Sequence, residues 1–212
     1  MKKRALQSPK INERLEVATH LEREERYERI IVKKQTFEEQ DLRDCRFESV
    51  VFEQCLFLGA SLRSTEWVDC EFHKCDLSNV DLTQVIMHRV KFFECKLSGA
   101  ACNDSSYLDV SFEHTQLPYS NFSHSRLKHV RFQSSLLDHA DFVEVNCSNV
   151  EFDDVSLNDV QFTHTSLKDI DLSTSRFDHL TVSAEELIGC TISEDQATAF
   201  VRAFGMKVKG ID

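Results

Sequence analysis

Glycine and proline are scarce in this sequence, with 5 and 2 residues respectively among 212. Tight turns normally depend on both residue types, because glycine tolerates positive φ and proline fixes φ near −65°. A chain with so few of either must change direction by another device.

Excess positive charge and long apolar runs are also missing. The net charge is −11, which argues against direct binding to nucleic acid or to an anionic membrane surface. No apolar run approaches the roughly 18 residues of a membrane-spanning helix. The N-terminus is basic but has no apolar segment behind it, unlike a secretory signal. We therefore expect a cytoplasmic protein.

Known catalytic and cofactor-binding motifs are absent too. No nucleophile elbow, phosphate-binding loop or dinucleotide fingerprint occurs, and the eight cysteines include no Cys-x-x-Cys pair. The nine histidines are interpreted as surface residues. The sequence predicts no catalytic residue, no cofactor and no metal site.

What the sequence does contain is a five-residue repeat. Every position ending in 2 or 7, from Phe37 to Ile192, holds an apolar residue, most often Phe or Leu. A second column, at positions ending in 0 or 5, holds small or β-branched residues from Cys45 to Ser175. The other three positions are mostly polar. A period of five fits neither a helix nor a flat strand, but it fits a chain that turns about 90° in every unit.

The repeat predicts an all-β solenoid, a right-handed quadrilateral β-helix of about eight coils over residues 35–194. Residues 20 apart would stack at about 4.8 Å, giving a rod of about 38 Å. The two columns place the cysteines in the interior, where we expect them to pack as free thiols. Residues 1–34 are predicted to form an N-terminal helical cap, since Ile11, Leu15, Ala18 and Leu21 have helical spacing.

Residues 195–212 are predicted to form a helix and a short strand. Ser193 to Gln196 has the pattern of a capping box. Ala197, Phe200, Val201 and Phe204 would then share one helix face, and Gly205 stands where a helix-ending glycine belongs.

Units such as CDLSN (75–79), VDLTQ (80–84), CKLSG (95–99) and ADFVE (140–144) resemble the repeat of the pentapeptide repeat proteins. The C-terminal segment 187–208 resembles the ending of the quinolone-resistance members, the Qnr and MfpA group. That resemblance implies a homodimer joined through the C-terminal modules. It also implies a rod that mimics B-DNA, binds DNA gyrase or topoisomerase IV, and protects against quinolones. Some members have loops that interrupt the repeat, and this chain has none.

The charge distribution is compatible with such mimicry. Residues 1–34 carry +4 and residues 195–212 carry +1, which leaves −16 on the repeat; about 38 Å of B-DNA carries roughly 22 negative charges. The most acidic face is predicted to display Glu53, Glu71, Glu94, Glu113, Glu151, Asp153, Asp154 and Asp171, and a face taken as its neighbour displays Asp104, Asp141 and Glu144.

These acidic faces are the predicted topoisomerase-binding surface. The dimer interface implied by the resemblance comprises Ala197, Phe200, Val201, Phe204, Met206 and Val208. The alternative is a pentapeptide repeat scaffold that binds an unrelated protein partner through the same surface. Acidic surfaces also keep many proteins soluble, so charge alone does not separate the two hypotheses.

Overall fold

The computed structural model describes residues 4–11 and 14–207. Within them the chain forms twelve strands, which pair in parallel, and one helix. The strands are β1 Glu16–Val17, β2 Arg26–Glu28, β3 Ile30–Lys33, β4 Arg46–Glu48, β5 Val51–Glu53, β6 Glu66–His73, β7 Ile86–Phe93, β8 Ser106–Glu113, β9 Arg126–Gln133, β10 Asn146–Asp153, β11 Val160–Gln161 and β12 Leu180–Thr181; the helix is α1 Glu194–Ala203.

Residues 20 positions apart pair from coil to coil. Phe72 pairs with Phe92 between β6 and β7, and isolated bridges such as Asp41 with Ser61 continue the same register. Four five-residue units therefore close one coil, which confirms the predicted four-sided β-solenoid of about eight turns. The right-handed sense of the coil stays a prediction.

Each coil has four faces. Face 1 begins with residues 36–40, and the units at every further 20 residues belong to it. Faces 2, 3 and 4 begin in the same way with residues 41–45, 46–50 and 51–55. The long strands β6 to β10 each cover faces 3 and 4. Faces 2 and 4 lie on opposite sides of the square, because two corners separate them.

A left-handed residue at every corner from Glu24 to Asp169 replaces the missing glycines. In the described part of the chain, twenty-eight residues other than glycine have positive φ, all at positions ending in 4 or 9, and Gly59 and Gly99 fill the same column. The amide of the corner residue donates a hydrogen bond to the next coil, as Glu39 does to the carbonyl of Leu58 at 2.8 Å. The pairing of coils thus offsets the cost of the left-handed conformation, about 1 kcal/mol per residue.

The large apolar column fills the interior. Its members from Phe37 to Leu172 are buried apart from Cys147, which is partly exposed. Phenylalanine rings stack along face 4, with 4.9 Å between the centroids of Phe92 and Phe112 and 5.0 Å between those of Phe112 and Phe132. The predicted register is confirmed, and stacked rings are an efficient way to fill a narrow interior.

The small column supplies internal hydrogen bonds as well as packing. Ser135 accepts from the amide of Thr115 at 3.0 Å and donates to the carbonyl of Phe112 at 3.2 Å. Cys95 does the same with the amide of Cys75 and the carbonyl of Phe72, each at 3.4 Å. All eight cysteines are free, and only Cys147 and Cys190 are partly exposed. A thiol or hydroxyl in this column thus satisfies buried backbone groups.

The predicted N-terminal helix is wrong. Residues 14–34 contain no helix; Tyr27 and Val32 continue the five-residue register, and β1 pairs with β3. The amides of Glu16 and Ala18 donate to the carbonyls of Arg29 and Ile31, each at 3.0 Å. An added strand satisfies the open backbone groups of the first coil, which a helix cannot do, and this outweighs the helical spacing of Ile11 to Leu21.

At the other end the predicted helix is confirmed. Gln196 and Ser193 form the reciprocal capping box, with hydrogen bonds of 2.9 and 3.3 Å. Gly205 has φ of 76°, and the amide of Met206 donates to the carbonyl of Val201 at 3.1 Å, which completes a Schellman ending. Met206 and Lys207 form no strand, and Val208 lies outside the described residues.

Replacing Phe112 with Asp should unfold the rod, because it removes two ring stacks and buries an unpaired charge at a cost of several kcal/mol. Gln116→Asp changes the charge equally at an exposed position four residues away and should leave the stability within about 0.5 kcal/mol. Thermal melting by circular dichroism compares the two. A native melting temperature for F112D would contradict the register.

Candidate functional site

The acidic residues predicted from the sequence occupy two faces of the rod. Face 4 carries Glu53, Glu71, Glu94, Glu113, Glu151, Asp153, Asp154 and Asp171, and face 2 carries Asp104, Asp141 and Glu144. The expectation that these faces are neighbours is wrong, since they lie on opposite sides of the square. A partner that contacts only one side of the rod cannot engage both.

Nearby cations compensate most of the face 4 carboxylates. The partner usually comes from the preceding coil, because residues 20 apart stand side by side. The ion pairs with Lys or Arg are Glu53–Lys33 at 2.9 Å, Glu94–Lys74 at 3.3 Å, Glu113–Lys91 at 2.6 Å, Glu151–Arg131 at 2.7 Å and Asp154–Arg176 at 3.7 Å, and Glu71 contacts the ring of His73 at 2.8 Å. Pairs of this kind on a surface add little stability, but they weaken the field of the carboxylates involved.

The negative charge concentrates instead along the rod axis, near the C-terminal end. Residues 135–175, which we call the acidic belt, hold nine carboxylates and a single lysine, so they carry −8. Residues 35–134 carry only −5. The belt runs around all four faces and comprises Asp138, Asp141, Glu144, Glu151, Asp153, Asp154, Asp159, Asp169 and Asp171. Counting charge by face conceals it, whereas counting by coil would have found it in the sequence.

The charge density of the belt matches that of DNA. Two coils span about 10 Å, and B-DNA of that length carries roughly 6 negative charges. The five coils before it span about 24 Å, where B-DNA would carry roughly 14. Per unit length, those five coils carry about a third of the charge of B-DNA, whereas the belt reaches it.

The C-terminal residues predicted to form a dimer interface differ in their exposure. Phe200 is buried, with its ring 5.3 Å from that of Phe177, and it packs on the last coil of its own chain. Phe204 and Met206 are 40% and 52% exposed. Ala197 and Val201 are partly buried. The apolar surface available to a second chain is thus narrower than the predicted set.

Gln196 anchors the helix to the rod. Its side-chain amide donates to the carbonyls of Leu172 and Ser175 at 2.7 and 2.8 Å, and the residue is buried. These two bonds satisfy carbonyls that no further coil can reach. The C-terminal helix therefore caps the solenoid and is attached to the last coil of the belt.

Face 3 carries a site that the sequence analysis missed. Residues 4–11, which we call the N-terminal arm, run along this face across the coils. Arg4 donates to Asp109 at 2.9 Å, the amide of Gln7 donates to the same carboxylate at 3.2 Å, and the amide of Lys10 donates to Asp69 at 2.8 Å. The alternation of Asp69, Arg89 and Asp109 at 20-residue spacing was the available signal.

Asp69 and Arg89 form a bidentate ion pair on the same face. The two bonds measure 2.6 and 2.7 Å, and both side chains are nearly buried. Burial raises the pKa of Asp69, but hydrogen bonds from Arg89 and from the amide of Lys10 outweigh it and leave the pKa below its usual range. Burial and the charge of Arg89 lower the pKa of the adjacent His88.

Among the residues that the structure describes, no group of three His, Cys, Asp or Glu side chains has the geometry to hold a metal ion. No helix in the same ranges is long and apolar enough to cross a membrane. The arrangement offers charged and apolar surfaces for another macromolecule.

Family models match a large part of the repeat. The model for a pentapeptide repeat region matches residues 65–142 and 85–162, and the model for eight copies of pentapeptide repeats matches residues 41–84. No curated protein sequence matches the chain.

Solved structures with the same fold include QnrB1, described as a plasmid-mediated fluoroquinolone resistance protein. Its full-length form is 18% identical, with 90% of this chain and 100% of that chain covered and a TM-score of 0.52. HetL, which is involved in heterocyst differentiation regulation in the cyanobacterium Nostoc, is 13% identical, with 81% and 86% covered and a TM-score of 0.36. At 18% identity the similarity to QnrB1 establishes the fold alone.

The Asp69–Arg89 pair should make stability depend on pH. The pKa of Asp69 is lower in the folded chain than the value of about 3.9 in an unfolded one, so its stabilisation is present above that value and is lost as the pH falls through the folded pKa. Asp69→Asn should cost about 1–3 kcal/mol at pH 7, and the difference from wild type should shrink towards pH 3.

Urea unfolding at both pH values measures this effect. Asp104→Asn is the matched control, because Asp104 is a left-handed corner residue on face 2 whose side chain is exposed. A destabilisation by Asp69→Asn that is independent of pH would show that the carboxylate charge is not what matters.

Proposed function

This chain belongs to the pentapeptide repeat family, and we propose that it is a DNA mimic that binds DNA gyrase or topoisomerase IV and protects the enzyme from quinolones. In this proposal the chain acts by binding and performs no catalysis. The observation that carries it is the acidic belt, where net charge per unit length reaches that of B-DNA. Because the chain shares its fold with QnrB1, we interpret this charge as mimicry of DNA.

The belt fits the chemistry of a DNA-binding surface. Such a surface presents lysine and arginine side chains that attract phosphates through a long-range field. Asp153 and Asp154 are both exposed at the middle of the belt, and Arg176 lies 3.7 Å from Asp154. Carboxylates at this density would draw the same surface and compete with DNA for it.

A homodimer would place two belts close together. The belt ends at residue 175, and the exposed Phe204 and Met206 follow the helix that caps the same end of the rod. If two chains join through these residues about a two-fold axis, their belts flank the centre of the assembly. A symmetric enzyme with a two-fold DNA channel would then meet one belt on each side.

A cytoplasmic location accompanies this proposal, since gyrase acts on the chromosome. The rival function is a scaffold for an unrelated protein, and the same experiments separate the two. The uninterrupted repeat means that protection would depend on the belt and the dimer, without any loop.

The belt can be tested in a gyrase supercoiling assay with ciprofloxacin. Wild-type protein, titrated to micromolar concentrations, should restore supercoiling at a fixed drug concentration or inhibit the enzyme alone. Replacing Asp153 and Asp154 with Lys should raise the concentration needed by about tenfold or more, because two charges at the interface are reversed. The effect should weaken as salt is added.

Glu38 and Glu39 provide the matched control. They occupy the same two positions of their unit, are both exposed, and lie on face 1 at the far end of the rod. Replacing both with Lys changes the charge equally and should leave activity within about twofold, as expected for charges outside the contact. No effect of the wild-type protein on the enzyme would refute the proposal, and equal losses in the two variants would refute the role of the belt.

The dimer is tested by Phe204→Glu, which puts a charge on the exposed apolar surface and should yield monomers. Ile188→Glu also replaces an exposed apolar residue with Glu. Ile188 lies in the turn before α1 and is 69% exposed, and its replacement should leave the dimer intact. Light scattering reports the mass of each. Because Phe200 packs within its own chain, its replacement would instead lower the melting temperature. A dimer retained by F204E would place the interface elsewhere.

A further inference from the structure

The solenoid on face 3 is complete without the N-terminal arm. Its strands pair coil to coil through β4 and β6 to β10, and the corner amides are satisfied within the rod, as in the bond from Ser49 to the carbonyl of Val68 at 2.9 Å. The arm forms no strand pair with the face that it covers. It is therefore an extended segment bound to a finished surface.

Two buried carboxylates receive this segment. With the arm in place Asp109 has no exposed side-chain area, whereas carboxylates at equivalent corners of other faces, such as Asp104 and Asp154, are exposed. Both of its oxygens are engaged by the arm, one by the guanidinium of Arg4 and the other by the amide of Gln7. Within the rod, the ring of His88 comes within 4.0 Å of the Asp109 carboxylate. Asp109 thus depends on a guanidinium and a backbone amide supplied from outside the repeat.

The arm presents a simple chemical pattern. After the Arg4 anchor, Leu6, Pro9 and Ile11 are half-buried, whereas Ala5, Gln7, Ser8 and Lys10 are exposed. The amide and carbonyl of Lys10 bond to Asp69 and Ser49, at 2.8 and 3.4 Å. The contacts are one charged anchor, three apolar side chains and a few backbone bonds, which is how surfaces recognise extended peptides.

We propose that face 3 is a recognition site for an extended, arginine-bearing peptide segment of a partner protein, and that the N-terminal arm occupies it in cis. The arm is tethered to the rod, so its effective concentration is high and it excludes weak competitors. Arg4 remains 48% exposed, so its ion pair with Asp109 can open without unfolding any coil. A partner segment with the same pattern would displace the arm and bind to Asp109 and Asp69. This site is independent of the acidic belt and of any topoisomerase.

The test uses the full-length protein and a fluorescein-labelled synthetic peptide of residues 1–15, with binding followed by fluorescence anisotropy. Arg4→Ala weakens the arm in cis and should tighten peptide binding by about tenfold relative to wild type, because the competitor has been released. Gln7→Pro removes the amide proton that Asp109 accepts and should act in the same direction. Proline suits an extended segment, and neither change touches the rod.

Asp109→Asn in the Arg4→Ala background should abolish most of that gain, whereas Asp104→Asn, at the exposed corner of face 2, should leave it unchanged. A peptide carrying Arg4→Ala should bind weakly to every variant. Melting temperatures confirm that each rod is folded. The proposal is wrong if neither Arg4→Ala nor Gln7→Pro tightens peptide binding, or if Asp109→Asn leaves the affinity unchanged. In that case the arm is a permanent part of the rod. Arms exchanged between two copies of this chain, seen as a new dimer, would also overturn the proposal.

Discussion

The whole rod depends on one residue in five adopting a left-handed backbone conformation. That residue turns the chain by about a right angle, and its amide donates a hydrogen bond to the next coil. The same residue therefore both forms the corner and links neighbouring coils. A left-handed corner is unfavourable in isolation and becomes favourable only when another coil accepts its hydrogen bond. Coils therefore support one another, as in other solenoids, and the ends need separate solutions.

The two ends solve this problem differently. At the N-terminus the short strand β1 pairs with β3 and extends the sheet. At the C-terminus the capping box starts a helix, and Gln196 reaches back to the carbonyls of Leu172 and Ser175. Both solutions satisfy backbone groups that would otherwise have no coil to bond with. The exposed apolar residues Phe204 and Met206 follow this helix. The segment that caps the rod is therefore also the one that would form the proposed dimer.

The corner also determines where charge is placed. Its side chain points outwards, and left-handed residues other than glycine favour Asp, Asn and His, so charged and titratable groups form columns along the rod edges. Over residues 35–134 the acidic members of these columns are largely balanced by Lys and Arg. The belt has a single lysine of its own, and Arg131 and Arg176 at its two edges pair with its carboxylates. On face 3, Arg89 pairs with Asp69 and the arm supplies the partner of Asp109. The same repeat thus gives three electrostatic surfaces without any change of fold.

The sequence by itself determined the five-residue register, the interior columns, the placement of the cysteines and the C-terminal capping box, because each is dictated by side chains a fixed number of residues apart. The tertiary structure decided what depends on distant residues. It showed that residues 14–34 add strand rather than helix, since the open edge of the first coil needs backbone partners. It buried Phe200 against Phe177, whereas the opposite placement of faces 2 and 4 already follows from the four-unit register. It also brought Arg4 to Asp109, a contact across 105 residues that no local pattern encodes.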